Sequence, residues 1–276
     1  MTATANTLAS GPGWHVADVI CTASAGDRPF EEVHRDFCVA AVTSGTFRYR
    51  AQQGTAMLAP GSLLLGNSGT CYECGHEHGS GDRCLSFHFG PAYMDRIVAD
   101  VPGAGKLTFE TPRLPPLPAI APLLAEAEAA RDMADAGAFE EIALRIAGAA
   151  VATVSGARHA SRDPSRRDQK RVAEAVRRIE LDADGPVSLP ALADETATSA
   201  YHFLRTFRQV AGMTPYQYLL RTRLHRAAVR LRTSNDAISA IAFEAGFNDL
   251  STFNRRFRRV MGETPGRYRS GRVGSR

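Results

Sequence analysis

Two stretches lying 50 positions apart decide the fold: 203-FLRTFRQVAGMTPYQY-218 and 253-FNRRFRRVMGETPGRY-268. Nine of the 16 positions are identical: Phe203/Phe253, Arg205/Arg255, Phe207/Phe257, Arg208/Arg258, Val210/Val260, Gly212/Gly262, Thr214/Thr264, Pro215/Pro265 and Tyr218/Tyr268. In both copies Phe and Val recur at helical spacing on one face and Arg on the other. Short helices are predicted just upstream, over 189–195 and 238–245, each followed by a tight break at 197–199 and 246–248. Helix, break and second helix are the sequence form of a helix-turn-helix, whose second helix enters a major groove. Thr214-Pro215 and Thr264-Pro265 read as an N-cap followed by a first-turn proline, each opening a further helix. The helix between the copies is predicted over 215–232. At ~1.5 Å per residue it is a strut of about 27 Å, against ~34 Å between successive major grooves on one face of B-DNA.

Outside this repeat the charge is uneven. Residues 165–276 carry 21 Lys+Arg against 11 Asp+Glu, whereas residues 1–164 carry 12 against 18. The basic half suggests a polyanion partner that the acidic half does not share. Lys106 and Lys170 are the only lysines, a bias that a GC-rich genome explains without any functional role. With 44% hydrophobic and 22% charged residues over 276 positions, disordered and collagen-like classes are excluded, and one or two domains are expected. No run of 18 apolar residues and no basic-then-apolar leader is found, so the expectation is a cytoplasmic chain with no membrane partner.

From Asp18 to about Phe89, short apolar runs separated by Gly45, Gly54, Pro60-Gly61 and Gly66-Asn67 predict an antiparallel sandwich or small barrel. The segment Pro112 to Pro118 is expected to close the strands, because proline cannot continue a ladder. Apolar spacing then predicts a helical hairpin over 119–134 and 138–154, packed on its own sheet or serving as a dimer seam. The polar stretch GARHASRDPSRRDQ is assigned as the linker at 156–169, between domains at 1–155 and 170–276.

Residues 166–270 resemble the DNA-binding domain of AraC/XylS-type transcription regulators. The match is carried by IAFEAGFNDLSTFNRRFR (Ile241–Arg258) and the closing GETP (Gly262–Pro265). The resemblance implies double-stranded promoter or operator DNA as the partner, with RNA polymerase a candidate and a homodimer expected. It places base-facing positions at Ala200, Tyr201, Leu204 and Arg205, and at Leu250, Ser251, Thr252 and Arg255. Arg205 and Arg255 have the fork for guanine O6/N7, and Leu250 or Thr252 suits a thymine methyl. Arg208, Arg256, Arg258 and Arg259 are read as phosphate contacts or solvated face. Phe203, Phe207, Phe253 and Phe257 are read as core rather than base-stacking residues. Val42–Gly45 and Pro60–Leu65 resemble the cupin-like sensory barrel of the same family, although Glu32-Val33-His34 lacks the H-x-H pair of a metal cupin. The expected fold class is α+β in two domains: a cupin-like β-barrel with a helical hairpin, then an all-α bundle with two helix-turn-helix units.

The five cysteines, an odd number without a leader, argue against a disulfide framework. Three of them fall in 71-CYECGHEHGSGDRC-84. If residues 74–78 are extended, Cys74, His76 and His78 share one side, with Glu73 and Glu77 on the other. Cys71, Cys74, His76, His78 and Cys84 are therefore a candidate cluster for Zn²⁺ or Cu(I), or for a thiol that senses oxidants or electrophiles. The plain alternative is buried small cysteines beside exposed loop histidines. Function then reads as a DNA-binding regulator answering a small-molecule or metal effector, and not an enzyme. The alternatives are a DNA-tethered cupin metalloenzyme or thiol group transferase, for which no triad or nucleophile elbow is found, and an architectural DNA-binding protein, which would not need the strand-rich half.

Overall fold

The computed structural model describes residues 3–24, 27, 29, 31–76, 80–105, 107–156 and 164–270. Contacts divide the chain into two compact units, Met1–Ser161 and Arg162–Arg276.

The first unit opens with β1 (Ala3–Gly11), β2 (Trp14–Ser24), β3 (Glu31–Val33), β4 (Phe37–Gly45) and β5 (Phe47–Ala51). It continues through β6 (Gly54–Leu58), β7 (Leu63–Gly66), β8 (Cys71–Gly75), β9 (Ser80–Phe89), α1 (Pro91–Ala99) and β10 (Arg113–Leu114). The strands form a six-stranded sheet ordered β1-β2-β9-β4-β7-β10 and a four-stranded sheet ordered β3-β8-β5-β6. Cys38, Ala40, Val42, Leu64 and Cys84 from the large sheet meet Phe47, Tyr49 and Leu58 from the small one, with Tyr72 and Cys74 at the margin. The opposite face of the large sheet is also buried, at Val39, Ala41, Leu63, Leu65, Leu85 and Phe87. That is why β4 and β7 read as continuous apolar runs rather than alternating ones.

The helical hairpin is present as α2 (Ala121–Asp132) and α3 (Phe139–Val154). Helix α3 packs on α1, α2, β1 and β4, so its apolar stripe covers its own sheet. Three features depart from the sequence reading. Strand pairing starts at Ala3, because β1 is a mostly exposed edge strand of Ala, Thr and Gly with no large-apolar alternation. Helix α1 was not anticipated. The proline-rich segment does not end the sheet, since Arg113 and Leu114 still pair with β7 and the Pro112 carbonyl accepts from the Leu65 N–H.

Among the described residues the regular elements of the second unit are all helices: α4 (Arg166–Leu181), α5 (Leu189–Glu195), α6 (Ala200–Ala211), α7 (Pro215–Thr233), α8 (Ile238–Glu244), α9 (Leu250–Met261) and α10 (Pro265–Ser270). Helix α4 starts inside the stretch expected to be linker, because Ser165 and Asp168 form a reciprocal capping box. Of that stretch, residues 157–163 lie outside the described residues. The repeat appears as repeated structure. Each recognition helix ends on a left-handed glycine, Gly212 or Gly262, and a threonine then starts the next helix. Phe207 stands edge-on to Tyr218, and Phe257 to Tyr268. Phe203, Phe207, Phe253 and Phe257 are buried, as their spacing predicts, each contributing on the order of 2–3 kcal/mol by leaving water.

Candidate nucleic-acid interface and thiol cluster

The two recognition helices, α6 and α9, are aimed by their turns. Ser199 accepts the His202 N–H to start α6, and Asp249 accepts the Thr252 N–H to start α9. That N–H holds the Asp249 carboxyl below its ordinary range. The second turn places Gly246 at φ +88°, while the first turn puts an alanine, Ala197, at φ +50°.

Helix α9 exposes Leu250, Ser251, Asn254, Arg255, Arg258 and Arg259, with Thr252 half-buried. The Arg255 guanidinium donates to the Thr252 hydroxyl at 3.4 Å, so fork and hydroxyl lie together at i, i+3. Asn254 was absent from the sequence reading. It follows from the helical face that Leu250 and Arg255 define, and its amide suits an adenine edge.

Helix α6 differs. Ala200 and Arg205 are half-buried and Arg208 is exposed, but Tyr201 and Leu204 are buried and cannot serve as base-facing positions. The reason is apolar content: with Phe203 and Phe207 they widen the buried stripe of α6, which packs on α4. At the matching positions α9 carries the polar Ser251 and Asn254 and leaves that face open. A second correction concerns Arg256, which is buried with its guanidinium 5.5 Å from the Tyr216 ring centroid. It anchors α9 to the start of α7 and does not stand on a solvated face.

Helix α7 fastens the two reading units together. Arg223 donates through Nε to the Ala183 carbonyl at 2.5 Å and through Nη2 to the Gly185 carbonyl at 2.9 Å. Tyr218 donates to Glu180 at 2.7 Å, and Arg226 to the Glu180 carbonyl. A Cβ at Gly246 would come within 2.8 Å of Arg223 Nε and 2.9 Å of the Ala183 carbonyl oxygen. The loop after α4, the strut and the second turn thus meet at one place.

In the first unit, strand parity separates the residues that the thiol motif groups together. Along β8, Tyr72 and Cys74 face the inter-sheet core, whereas Cys71 is exposed and opposite Val33 of β3. Cys71 and Cys74 sit three positions apart on a strand, so they cannot share one ion in this arrangement. His78 lies outside the described residues. The residues that do meet are Cys21, His76 and Asp82, whose donor atoms all lie within 4.8 Å of one another. Cys21 and Asp82 are cross-strand partners in the β2/β9 ladder. Gly81, at φ +88°, allows this because any Cβ there would strike the Cys21 carbonyl oxygen at 2.2 Å. His76 Nε2 lies 2.5 Å from Asp82 Oδ2, and the Cys84 thiol donates to Asp82 Oδ1 at 3.5 Å.

Burial pushes the Cys38 thiol up to about 11 and raises Cys74 and Cys84 further, with the Asp82 charge adding to both of the latter. Exposed Cys71 is raised by its hydrogen bond to Glu31. Cys38 also contacts Ser86, which in turn reaches His88, and His88 stacks on His15 at 4.3 Å. His34 lies 2.8 Å from the Tyr49 hydroxyl and stacks on Tyr72. Burial lowers His34 and His88 to about 4.

Residues 20–147 match the family described as the AraC-like ligand binding domain, and residues 192–271 match a helix-turn-helix domain. The transcriptional activator RhaS of Escherichia fergusonii is 43% identical over 89 residues, which cover 32% of this chain and 32% of RhaS. Regulatory protein SoxS of Escherichia coli is 35% identical over 101 residues, 37% of this chain and 94% of SoxS. A crystal structure of an AraC-type regulator from Chromobacterium violaceum aligns with TM-score 0.37 at 29% identity, covering 39% of this chain and 96% of that one. The matched region thus spans about a third of RhaS and nearly all of SoxS. Among the described residues no helix is long and apolar enough to cross a membrane. With a strand-rich ligand-binding domain ahead of two helix-turn-helix units, this chain belongs to the AraC/XylS family of transcription regulators.

Proposed function

We propose that the chain is a sequence-specific regulator of transcription whose second unit reads double-stranded DNA, chiefly through α9, under control of a signal received by the first unit. The observation that carries this reading is the open face of α9. It groups Ser251, Thr252, Asn254 and Arg255, with Arg258 and Arg259 on the same helix, while α6 offers a narrower face at Ala200, Arg205 and Arg208. Donors for base edges and arginines for phosphates therefore occupy one helix of groove-fitting diameter. A cytoplasmic setting, a second copy of the chain and RNA polymerase are the context and partners that this reading calls for.

For the signal, a metal is favoured over an oxidant. Reactive thiols need an accessible thiolate, whereas burial raises Cys21, Cys38, Cys74 and Cys84, and a hydrogen bond to Glu31 raises the exposed Cys71. The same property weighs against a thiol group transferase.

The test is selection of binding sites from random duplexes, followed by gel-shift titration at fixed salt. Arg255→Ala is expected to weaken cognate binding by about 1–3 kcal/mol and to relax preference at one base pair. Undiminished discrimination in that variant would overturn α9 as the reader, and absence of any selected sequence would overturn the regulator reading.

A further inference from the structure

We infer that the first unit holds one zinc ion on Cys21, His76 and Asp82. This inference rests on the metal-signal reading above and replaces the Cys71/Cys74 grouping that the motif suggested.

Three observations support it independently of the cysteine count. The first is convergence: Sγ, a ring nitrogen and a carboxylate oxygen, from three separate places in the chain, lie within 4.8 Å of one another. Tetrahedral zinc takes Zn–S of ~2.3 Å and Zn–N or Zn–O of ~2.0–2.2 Å, so small side-chain rotations of about an ångström close the site. The second is the state of His76. Its side chain is 2% exposed and that of Asp82 is 7% exposed. One ring nitrogen lies on the Asp82 carboxylate, while Nδ1 is buried with no hydrogen-bond partner among the described residues. Water is thus excluded from a ring nitrogen and a carboxylate that face each other, and a dication between them would satisfy both. The third is backbone construction: Gly81 admits a carbonyl contact that would exclude any side chain, and this brings the Asp82 and Cys21 strands together.

The donor set selects the ion. One sulfur with imidazole and carboxylate suits borderline Zn²⁺, while the carboxylate disfavours Cu(I). Charge balances without further partners. Zn²⁺ binds as Cys21 gives up its thiol proton to solvent, so dication, thiolate and carboxylate sum to zero in a site where an unpaired charge would be expensive. Arg83, the adjacent cation, is committed elsewhere, to Asp18 at 2.6 Å and 2.8 Å.

The experiment uses the full chain stripped with chelator and titrated with zinc chloride alone, following bound metal by elemental analysis and competition with a chromophoric chelator. Cobalt substitution then reports thiolate-to-metal charge transfer. The expected result is one zinc per chain, at least tenfold weaker binding in Cys21→Ser and Asp82→Asn, and no change in Cys71→Ser. Thermal melting of each metal-free variant shows that it is folded, and where His76→Gln fails to fold the other two substitutions decide. Retention of wild-type zinc affinity in both Cys21→Ser and Asp82→Asn overturns the site, as does loss in Cys71→Ser or no zinc binding at all. DNA affinity is measured separately with and without zinc. A chain that binds zinc while its DNA affinity stays constant keeps the site and overturns the metal-signal reading.

Discussion

At the residue scale, Arg255 and Arg256 are neighbours with opposite fates. One step along α9 carries a guanidinium from the exposed face to the Tyr216 ring, because successive helical residues are about 100° apart. Composition alone gives both the same role; only the packing of α7 against α9 separates them. His34 and His88 carry a prediction at this scale. Both are lowered to about 4 by burial, with the charges of His15 and His34 adding to the effect on His88. Their ordinary value is 6.5, so between these limits the unfolded chain binds protons that the folded chain refuses. The two rings therefore favour the folded chain fully above about pH 6.5 and cost on the order of 3 kcal/mol each as pH drops toward about 4, while Glu140, raised to about 7 by burial, works in the opposite direction. Urea denaturation of the full chain at pH 7.5 and pH 4.5 should show this loss, and His88→Gln should remove roughly half of it. An unchanged slope in the variant would assign the acid lability to other groups.

At the element scale, the helices of the repeat were legible in the sequence, while helix α1 and the cluster in the first unit were not. Thr-Pro starts, left-handed glycine stops and 3.6-residue periodicity are local signals, and they locate α6, α7, α9 and α10 closely. Strand β1 escapes because Ala, Thr and Gly give no alternation to read. The Cys21–Asp82 neighbourhood escapes for a different reason: it depends on the β2/β9 register, which joins positions about 60 residues apart, whereas the visible motif is contiguous. The burial of Leu204 was legible in principle, since a leucine at the position of Asn254 lies on the widened apolar stripe. The turns supply a prediction with opposite signs in the two copies. Gly246→Ala adds strain at φ +88° and forces a Cβ onto Arg223 and the Ala183 carbonyl, so a loss of about 2 kcal/mol or more is expected. Ala197→Gly relieves an alanine at φ +50° and should gain up to about 1 kcal/mol. Denaturant midpoints measure both, and a stabilising Gly246→Ala would contradict the tight contact.

At the scale of the whole DNA-reading unit, the junction at Arg223 decides how the two recognition helices are spaced. A strut of 19 residues spans about 28 Å, but its length matters only if its ends are rigidly attached. Arg223 attaches it, holding two carbonyls of the loop after α4 while touching the second turn. Inserting two base pairs, about 7 Å of duplex, between the two subsites of a selected sequence should weaken wild-type binding at least tenfold. Arg223→Ala should narrow that penalty while lowering overall affinity. Gel-shift titration of the four combinations measures the coupling, and an equal penalty in wild type and variant would place the rigidity elsewhere.

The unequal surfaces of α6 and α9 have a consequence for the DNA itself. The two heads follow one another in one chain and present different side chains, Arg205 and Arg208 on one and Ser251, Thr252, Asn254 and Arg255 on the other. On the proposed reading, a single chain reads a site that has a sense, like a word rather than a palindrome. Turned end for end, the same base pairs spell something else, so one bound molecule would already distinguish upstream from downstream.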